Sequence, residues 1–280
     1  MTPAGPATHA PTDARQATAV TLWQDGARTQ GTDWLAPEEP LQIEVAGAAP
    51  LVTMRTPGHD EELAAGLLFG EGVVREAGDI VAMHPTAGDV GRLRVLLRSQ
   101  ARERYAQRAR SGAITSACGV CGKRTFDPPE PAAGAPTTIG APVAPRWLLT
   151  LPAQLRARQE GFAHTGGLHA AALFALGGEL LALREDVGRH NALDKLVGQA
   201  LLQGQLPWSG CALMLSGRAS YELLQKAARA QVALVCAISA PSSYAVRIAQ
   251  ALGITLVGFL RGERFNVYSG AERIAWDEGG

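Results

Sequence analysis

Near-continuous apolar runs in the second half of the chain alternate with helical segments, and this alternation constrains the fold more than any other feature. The runs are CALMLSG at 211–217, VALVCAIS at 232–239 and ITLVGFLR at 254–261. Strands that are buried on both faces of a sheet have this composition. Helices are predicted near 187–203, 221–230 and 244–252. The alternation predicts an α/β fold with a largely parallel sheet, and the turn at 261–264 predicts one antiparallel edge strand.

A further segment, GLHAAALFAL at 167–176, is predicted to be a helix that starts after Gly166 and Gly167. His164 and His169 flank these glycines. A helix N-terminus that follows glycines can accept an anion, and an ordinary helix start is the alternative interpretation.

The first half of the chain is strand-rich, and it is separated from the second by a segment with six prolines between residues 127 and 145. Such a composition is typical of a linker or a long surface loop. We therefore predict a disordered tail at 1–17, a smaller α+β region at 18–126, a proline-rich linker at 127–145 and a C-terminal α/β domain at 146–280.

Charge and hydropathy exclude several classes of protein. The 26 Lys and Arg residues balance the 26 Asp and Glu residues, so the formal net charge is zero. The chain therefore lacks the excess of positive charge that is typical of a nucleic-acid-binding protein. The sequence contains no apolar stretch long enough for a membrane span. Since its first residues have neither a basic nor an apolar region, we expect them not to act as a secretory signal. Four cysteines are too few for a disulfide scaffold. We expect a location inside the cell, where thiols are reduced, and neither nucleic acid nor membrane as a partner.

The cysteine pair Cys118 and Cys121 is the most chemically distinctive motif in the sequence. Small residues surround it, and a lysine and an arginine follow it, which favours thiolate formation. Three interpretations compete: a zinc site, dithiol redox chemistry, and a nucleophile on a mobile loop that attacks another sulfur atom. Cys211 and Cys236 lie in apolar strands, where a thiol acts as a small hydrophobe, so we predict that both are structural.

Polar and basic residues follow several predicted strands, at the edge where open α/β sheets bind ligands. They are Ser216, Gly217, Arg218, Ser239, Arg261, Glu263 and Arg264. Arginine binds phosphates bidentately, and a glutamate can read the N–H edge of a guanine. The segment REDVGRHNALDK at 184–195 adds further functional groups on the predicted polar side of a helix. The sequence contains neither G-x-G-x-x-G after an early strand nor G-x-x-x-x-G-K-[ST], which argues against a simple NAD enzyme or a P-loop ATPase.

Together these segments resemble the FdhD/NarQ family, the sulfur carriers required for formate dehydrogenase activity. The matching stretches are RTPGHDEELAAGLLFGEG, SACGVCGK, FAHTGGLHAAAL, REDVGRHNALDKLVG, SGRASYELLQKAA and GFLRGERFNVY. They extend from Arg55 to Tyr268. The combination of EDVGRHNALDK with an upstream C-G-V-C is highly specific for this family.

The resemblance implies a cytoplasmic, homodimeric sulfurtransferase that takes sulfur from a cysteine desulfurase and carries it as a persulfide. It passes the sulfur to the molybdenum bis-guanine-dinucleotide cofactor, a bound substrate rather than a resident metal, before that cofactor enters formate dehydrogenase. By motif, Cys118 is the persulfide residue and Cys121 its partner. The cofactor-binding segment of the C-terminal domain consists of Phe259, Leu260, Arg261, Gly262, Glu263 and Arg264, and we add Ser216, Gly217, Arg218 and Ser239.

The family is also similar in fold to cytidine deaminases, which implies a three-layer α/β/α sandwich. His169-Ala170-Ala171 lacks the glutamate of the deaminase H-x-E motif, so the residues argue against hydrolytic deamination. Two other functions remain as alternatives to the sulfur carrier. One is a thiol oxidoreductase that cycles a Cys118–Cys121 disulfide, and the other is a chaperone that binds the molybdenum cofactor without chemistry at either cysteine.

Overall fold

A computed structural model describes residues 15–86, 91–108 and 141–276 of the chain. Seven α-helices lie in these ranges: α1 Asp60–Gly70, α2 Ser99–Arg108, α3 Pro145–Ala157, α4 Glu160–Thr165, α5 Arg189–Leu202, α6 Tyr221–Arg229 and α7 Ser243–Ala251. None of these helices is long and apolar enough to cross a membrane.

The strands of the described ranges form three sheets. Strands β1 Gln16–Gln24 and β2 Ala27–Leu35 make an antiparallel hairpin. The next sheet contains β3 Glu39–Val45, β4 Leu51–Arg55, β5 Ile80–Pro85 and β6 Arg92–Leu97, in the order β4-β3-β6-β5. The largest contains β7 His169–Ala175, β8 Leu180–Asp186, β9 Cys211–Leu215, β10 Leu234–Ala237, β11 Thr255–Arg261 and β12 Arg264–Ser269, in the order β12-β11-β10-β9-β7-β8.

The six-stranded sheet is mixed, so the prediction of a largely parallel sheet is wrong. Only the β9–β10 and β10–β11 pairs are parallel. Strand β12 is the antiparallel edge strand that the sequence predicts. Strand β7 runs antiparallel to both of its neighbours, β8 and β9. Most of the antiparallel strand pairs in this sheet therefore involve the segment that the sequence analysis assigns to a helix.

Strand β7 replaces the helix predicted at 167–176, because its alternate residues enter two different cores. They are Ala170, Ala172 and Phe174 on one face, and Ala171 and Leu173 on the other. A segment that is buried on both faces shows no period-2 alternation, so its sequence does not distinguish a strand from a buried helix.

Helices cover both faces of this sheet, which confirms the α/β fold. Apolar residues of α5, α6 and α7 pack on one face. Helix α3 covers the other face with Leu148, Leu151 and Leu155. Cys236 is fully buried in this second core and Cys211 is partly buried. Burial raises the pKa of both thiols, which makes them poor nucleophiles at neutral pH. The likeness to cytidine deaminases stays a prediction.

The boundaries of the folded part differ from the predicted ones at two places. Strand β1 begins at Gln16, so the last residues of the predicted tail pair with β2. Val143, within the predicted linker, forms a parallel bridge with Ile274 and is buried in the second core. The described parts of the predicted regions 18–126 and 146–280 also share one core, because α1 packs directly on α5.

Two glycines bring the backbones of α1 and α5 into direct contact. A Cβ atom at Gly66 would overlap the Asp194 carbonyl group, and one at Gly198 would overlap the Glu62 carbonyl group. Both obstacles are backbone atoms, which cannot rotate away as a side chain can. The absence of a side chain at these positions therefore sets the distance between the two helices.

Replacing Gly198 with alanine tests this close contact. In an unobstructed helix the change would stabilise the protein by about 1 kcal/mol. Here we expect a loss of about 3 kcal/mol or more, because the helices must move apart. Urea unfolding followed by circular dichroism measures the change. The control is Gly78→Ala, whose Cβ would meet only the Glu76 side chain, at 3.7 Å. Equal stability of Gly198→Ala and wild type would contradict the analysis.

Candidate functional site

The ends of β9, β10 and β11 lie side by side at one edge of the large sheet, because these strands are parallel. The Ser239 N–H donates to the Gly217 carbonyl oxygen at 3.3 Å, and the Phe259 N–H donates to the Ser239 carbonyl oxygen at 3.2 Å. Strand β7 starts at the same edge, where the Ser216 N–H donates to the Ala170 carbonyl oxygen at 3.0 Å. We call residues 216–218, Ser239, Phe259 and His169 the strand-end edge.

The structure thus brings together the strand-end residues that the sequence singled out. It also adds His169, whose Nδ1 lies 3.3 Å from the Ser216 hydroxyl. That hydroxyl accepts a hydrogen bond from the Ala170 N–H at 2.8 Å. Sequence reasoning did not place His169 in the site because it assigned 167–176 to a helix. The sequence does contain a signal for a strand, because a pair of glycines flanks this short apolar run on each side.

Two arginines lie beside Gly217. Arg189 is the first residue of α5, and its Cδ would be 3.8 Å from a Cβ atom built at Gly217. Arg218 follows Gly217 and is exposed. Burial, and then the charge of Arg218, lower the pKa of Arg189. Burial also lowers the pKa of His169, with the charge of Arg189 as the second cause, while the charge of Asp186 opposes both. Two arginines and a histidine of lowered pKa therefore lie together at the end of β9.

The predicted segment 259–264 connects β11 to β12. Phe259 has a left-handed backbone with φ of 52°, which is uncommon for a residue with a side chain. The residues after it, from Arg261 to Arg264, are all exposed. Leu260 differs, because its side chain is fully buried in the second core. Within the segment, the exposed side chains that can contact a ligand directly are therefore those of the β11–β12 turn.

The polar side chains of the 184–195 segment are mostly buried, contrary to the expectation of a polar helix side. Lys195 Nζ lies 2.7 Å from Asp186 Oδ2 and donates to the Thr56 carbonyl oxygen at 2.8 Å. Asp186 Oδ2 accepts from the Thr56 N–H at 3.1 Å. Asn191 donates to the Met54 carbonyl oxygen at 2.7 Å. These hydrogen bonds hold the end of β4 against α5. The buried polar residues of the 184–195 segment therefore have a structural role, which is to fix the position of the backbone.

A second buried network links α5 to α6. Lys226 Nζ lies 2.7 Å from both Asp194 Oδ2 and Glu222 Oε1. Burial alone would lower the pKa of Lys226, but the two carboxylates outweigh it and raise that pKa. His190 Nε2 lies 3.0 Å from the hydroxyl of Ser220, the residue before α6. The network therefore anchors the loop that carries Arg218 to the start of α5.

A cavity of about 410 Å³ lies next to the end of β8, between residues 56–59, α4 and Lys195. The Glu185 carboxylate at its wall accepts from the Gly161 and Phe162 N–H groups at 2.8 and 2.9 Å, which caps α4. Arg184 forms a bidentate ion pair with Glu62, at 2.6 and 2.9 Å. None of the predicted cofactor-binding residues that the structure describes lines this cavity, but Arg184, Glu185 and Lys195 of the 184–195 segment do.

Cys118 and Cys121 lie outside the described residues. Their proposed roles depend on the sequence motif and on the chemistry of thiols. Among the described residues, no group of three or more histidine, cysteine, aspartate or glutamate side chains is arranged to hold a metal ion.

Comparison with known proteins identifies relatives along most of the chain. The model of the FdhD/NarQ family matches residues 36–275. A curated relative from Streptomyces coelicolor, named sulfur carrier protein FdhD, is 47% identical across 90% of this chain and 93% of its own length. A relative of the same name from Nocardia farcinica is 48% identical across 86% and 88%.

A solved structure has the same fold. It is titled a putative formate dehydrogenase accessory protein from Desulfotalea psychrophila, and it has a TM-score of 0.71 and 24% sequence identity. The match covers 93% of this chain and 99% of that one.

The Arg184–Glu62 pair predicts an acid dependence of stability. Burial raises the pKa of Glu62, but hydrogen bonds from Arg184 and His59 outweigh it and lower that pKa from 4.5 to about 2. A carboxyl group with a depressed pKa contributes stability that is present above its unfolded pKa and is lost as pH falls towards the folded one. We expect up to about 3 kcal/mol to be lost in this way.

Urea unfolding at several pH values between about 5 and about 2 measures this loss. Glu62→Gln should flatten the pH dependence in this range, because it removes the titrating group. Glu61→Gln removes the same charge from an exposed neighbour in α1 and should keep the wild-type slope. Identical slopes for wild type and Glu62→Gln would refute the assignment.

Proposed function

The chain belongs to the FdhD/NarQ family, and we propose that it carries sulfur from a cysteine desulfurase to the molybdenum bis-guanine-dinucleotide cofactor. The sulfur-loaded cofactor, which is the substrate of this protein, then enters formate dehydrogenase. One observation carries the nucleotide part of the proposal. Residues 216–218, Ser239 and 259–264, separate in sequence, lie on neighbouring strand ends and present arginine, serine and glycine at one edge.

Cys118 is the sulfur carrier in this proposal. Its thiolate attacks the terminal sulfur of the desulfurase persulfide, a new S–S bond forms, and the desulfurase cysteine leaves as a thiolate. The product is a persulfide on Cys118. No net oxidation or reduction occurs, because one persulfide replaces another.

Cys121 assists the second transfer by supplying the electron pair that the terminal sulfur needs. Its thiolate attacks the inner sulfur of the Cys118 persulfide, so a Cys118–Cys121 disulfide forms and the terminal sulfur leaves as sulfide. The sulfide is delivered to molybdenum, and cellular dithiols then reduce the disulfide. This step separates the proposal from a simple thiol oxidoreductase, in which no sulfide is released.

The strand-end edge and the β11–β12 turn bind the guanine nucleotide of the substrate. Arg261 and Arg264 are exposed there, and Glu263 between them accepts hydrogen bonds from the N–H edge of guanine. The protein acts in the cytoplasm as a homodimer, and a desulfurase and formate dehydrogenase are its partners.

Intact-protein mass spectrometry after incubation with a desulfurase and cysteine tests the transfer. Wild type should gain the mass of one sulfur atom, and Cys118→Ala should gain none and should fail to mature formate dehydrogenase. Cys121→Ala should load sulfur and release it slowly. Cys211→Ala, at a partly buried thiol of raised pKa, is the matched control and should behave as wild type. Active formate dehydrogenase from Cys118→Ala cells would favour the chaperone alternative.

Calorimetry with GDP and ADP tests guanine recognition independently of sulfur. Wild type should bind GDP more tightly than ADP, and Glu263→Gln should reduce that preference by about tenfold, the value of one charge-assisted hydrogen bond. Glu272→Gln removes another exposed carboxylate, just beyond β12, and should leave the preference unchanged. Equal affinity of wild type for GDP and ADP would exclude guanine recognition at this edge.

A further inference from the structure

We propose that His59 is the acid that protonates the departing sulfur, and that Glu62 positions its imidazole. This inference rests on the proposed function, because it takes the persulfide on Cys118 as the substrate. It gives a role to a histidine that neither the cysteine motif nor the strand-end edge uses. Three features support it: the backbone of His59, the carboxylate beside its imidazole and the cavity that it lines.

His59 is the residue before α1, but its side chain makes no hydrogen bond that caps the helix. Residues at this position usually have an extended backbone and a serine, threonine, aspartate or asparagine side chain. His59 instead has a left-handed backbone with φ of 56°, which costs free energy in a residue with a side chain. Strain of this kind is concentrated at functional sites. Helix capping therefore does not explain why a histidine stands here.

A fixed carboxylate orients the imidazole. Glu62 Oε2 lies 3.4 Å from His59 Nδ1, and Arg184 holds the same carboxylate with two hydrogen bonds, at 2.6 and 2.9 Å. Because an ionised carboxylate only accepts hydrogen bonds, the Nδ1 atom beside it carries a proton. The second ring nitrogen, Nε2, is then the one that exchanges a proton with a ligand. Carboxylates orient the histidines of serine proteases and of zinc sites in the same way.

The imidazole of His59 is about half-exposed and lines the cavity of about 410 Å³ next to the end of β8. Lys195 lines the same cavity and is almost fully buried. Its ammonium group has three N–H donors, and among the described residues Asp186 and the Thr56 carbonyl oxygen take two of them. One donor remains for a ligand. The cavity therefore offers a small anion a buried hydrogen-bond donor near an imidazole.

Other charged and titratable side chains also line this cavity around His59. They come from the start of the described chain, from the region of α4 and from β8, and they are Arg15, Arg158, Glu160, His164 and Glu185. Histidine is the side-chain type that ordinarily changes charge between about pH 5 and about pH 8. A test of His59 by pH must therefore separate it from His164.

Sulfur release needs a proton because of the charge on the departing atom. A persulfide is more acidic than a thiol, so its terminal sulfur is an anion at neutral pH. When the Cys121 thiolate attacks the inner sulfur, the bond to the terminal sulfur breaks and its electron pair goes to that atom. Without a proton the leaving group is a doubly charged sulfide, and so basic a group leaves slowly.

His59 supplies this proton from Nε2 as the bond breaks, so the product leaves as hydrosulfide. The two cysteine thiolates are oxidised to a disulfide, and the terminal sulfur is reduced by the same two electrons. The neutral imidazole then recovers its proton from water. The remaining Lys195 donor stabilises the sulfur anion by a charge-assisted hydrogen bond.

Release of sulfide from the loaded protein tests the assignment. After loading, the desulfurase and cysteine are removed, and a fluorescent probe follows free sulfide between about pH 5 and about pH 9. The wild-type rate should rise as the Cys121 thiolate forms and fall as the imidazolium loses its proton. His59→Gly suits the left-handed backbone, so this variant should fold and load one sulfur atom. It should release sulfide about 100-fold more slowly and should lack the descending limb.

Further variants separate catalysis from structure. Added imidazole should restore release in His59→Gly, because it replaces the missing acid. Glu62→Gln keeps the imidazole but removes the carboxylate that orients it, so release should slow less and keep its descending limb. His164→Gln should also keep this limb. His84→Gln, at an exposed site on β5, is the control and should release sulfide as wild type does.

Three results would overturn the inference while the proposed function stands. In the first, His59→Gly releases sulfide at the wild-type rate. In the second, it is slow but keeps the descending limb and does not respond to imidazole, so His59 has only a structural role. In the third, His164→Gln loses the limb in place of His59→Gly. Failure of wild type to gain sulfur would instead contradict the proposed function itself.

Discussion

The backbone contact between α1 and α5 is the constraint on which the rest of the structure depends. Glycine at 66 and 198 lets each helix touch a carbonyl group of the other. Helix α1 and the small four-stranded sheet share one core with α5, which packs on β7 and β8 of the large sheet. A larger residue at either position would separate these layers and open the core between them. The contact therefore makes one core out of two regions that look separate in sequence.

Close packing of the two helices also explains where the buried charges lie. Lys195 on α5 reaches the Thr56 carbonyl oxygen, just before α1, only because the helices are near each other. The ion pair of Lys195 with Asp186 is almost fully excluded from water, which is costly unless further hydrogen bonds satisfy both groups. The Thr56 backbone supplies those bonds from its N–H and its carbonyl group. The network thus fixes the position of the chain at the end of β8.

The same helix connects this network to the strand-end edge. Helix α5 starts with Arg189 at the edge and carries His190, which bonds to Ser220 beside the loop of Arg218. Lys226 holds Asp194 of α5 and Glu222 of α6 together below that loop. Rigid elements on both sides therefore support the loop from 216 to 220. The loop that presents the proposed cofactor-binding residues is therefore ordered before a ligand binds, which lowers the entropy cost of binding.

Sequence alone determined the elements in which apolar pattern and turn residues agree. Strands β9 to β12, helices α5 to α7 and the antiparallel edge strand follow from apolar runs, helical spacing and the turn at Gly262. The tertiary structure decided the rest. Strand β7 is a strand because two cores cover its faces. Lys195 is buried because the Thr56 carbonyl oxygen, 139 positions away in the sequence, accepts a hydrogen bond from its ammonium group, and no local pattern records that distance.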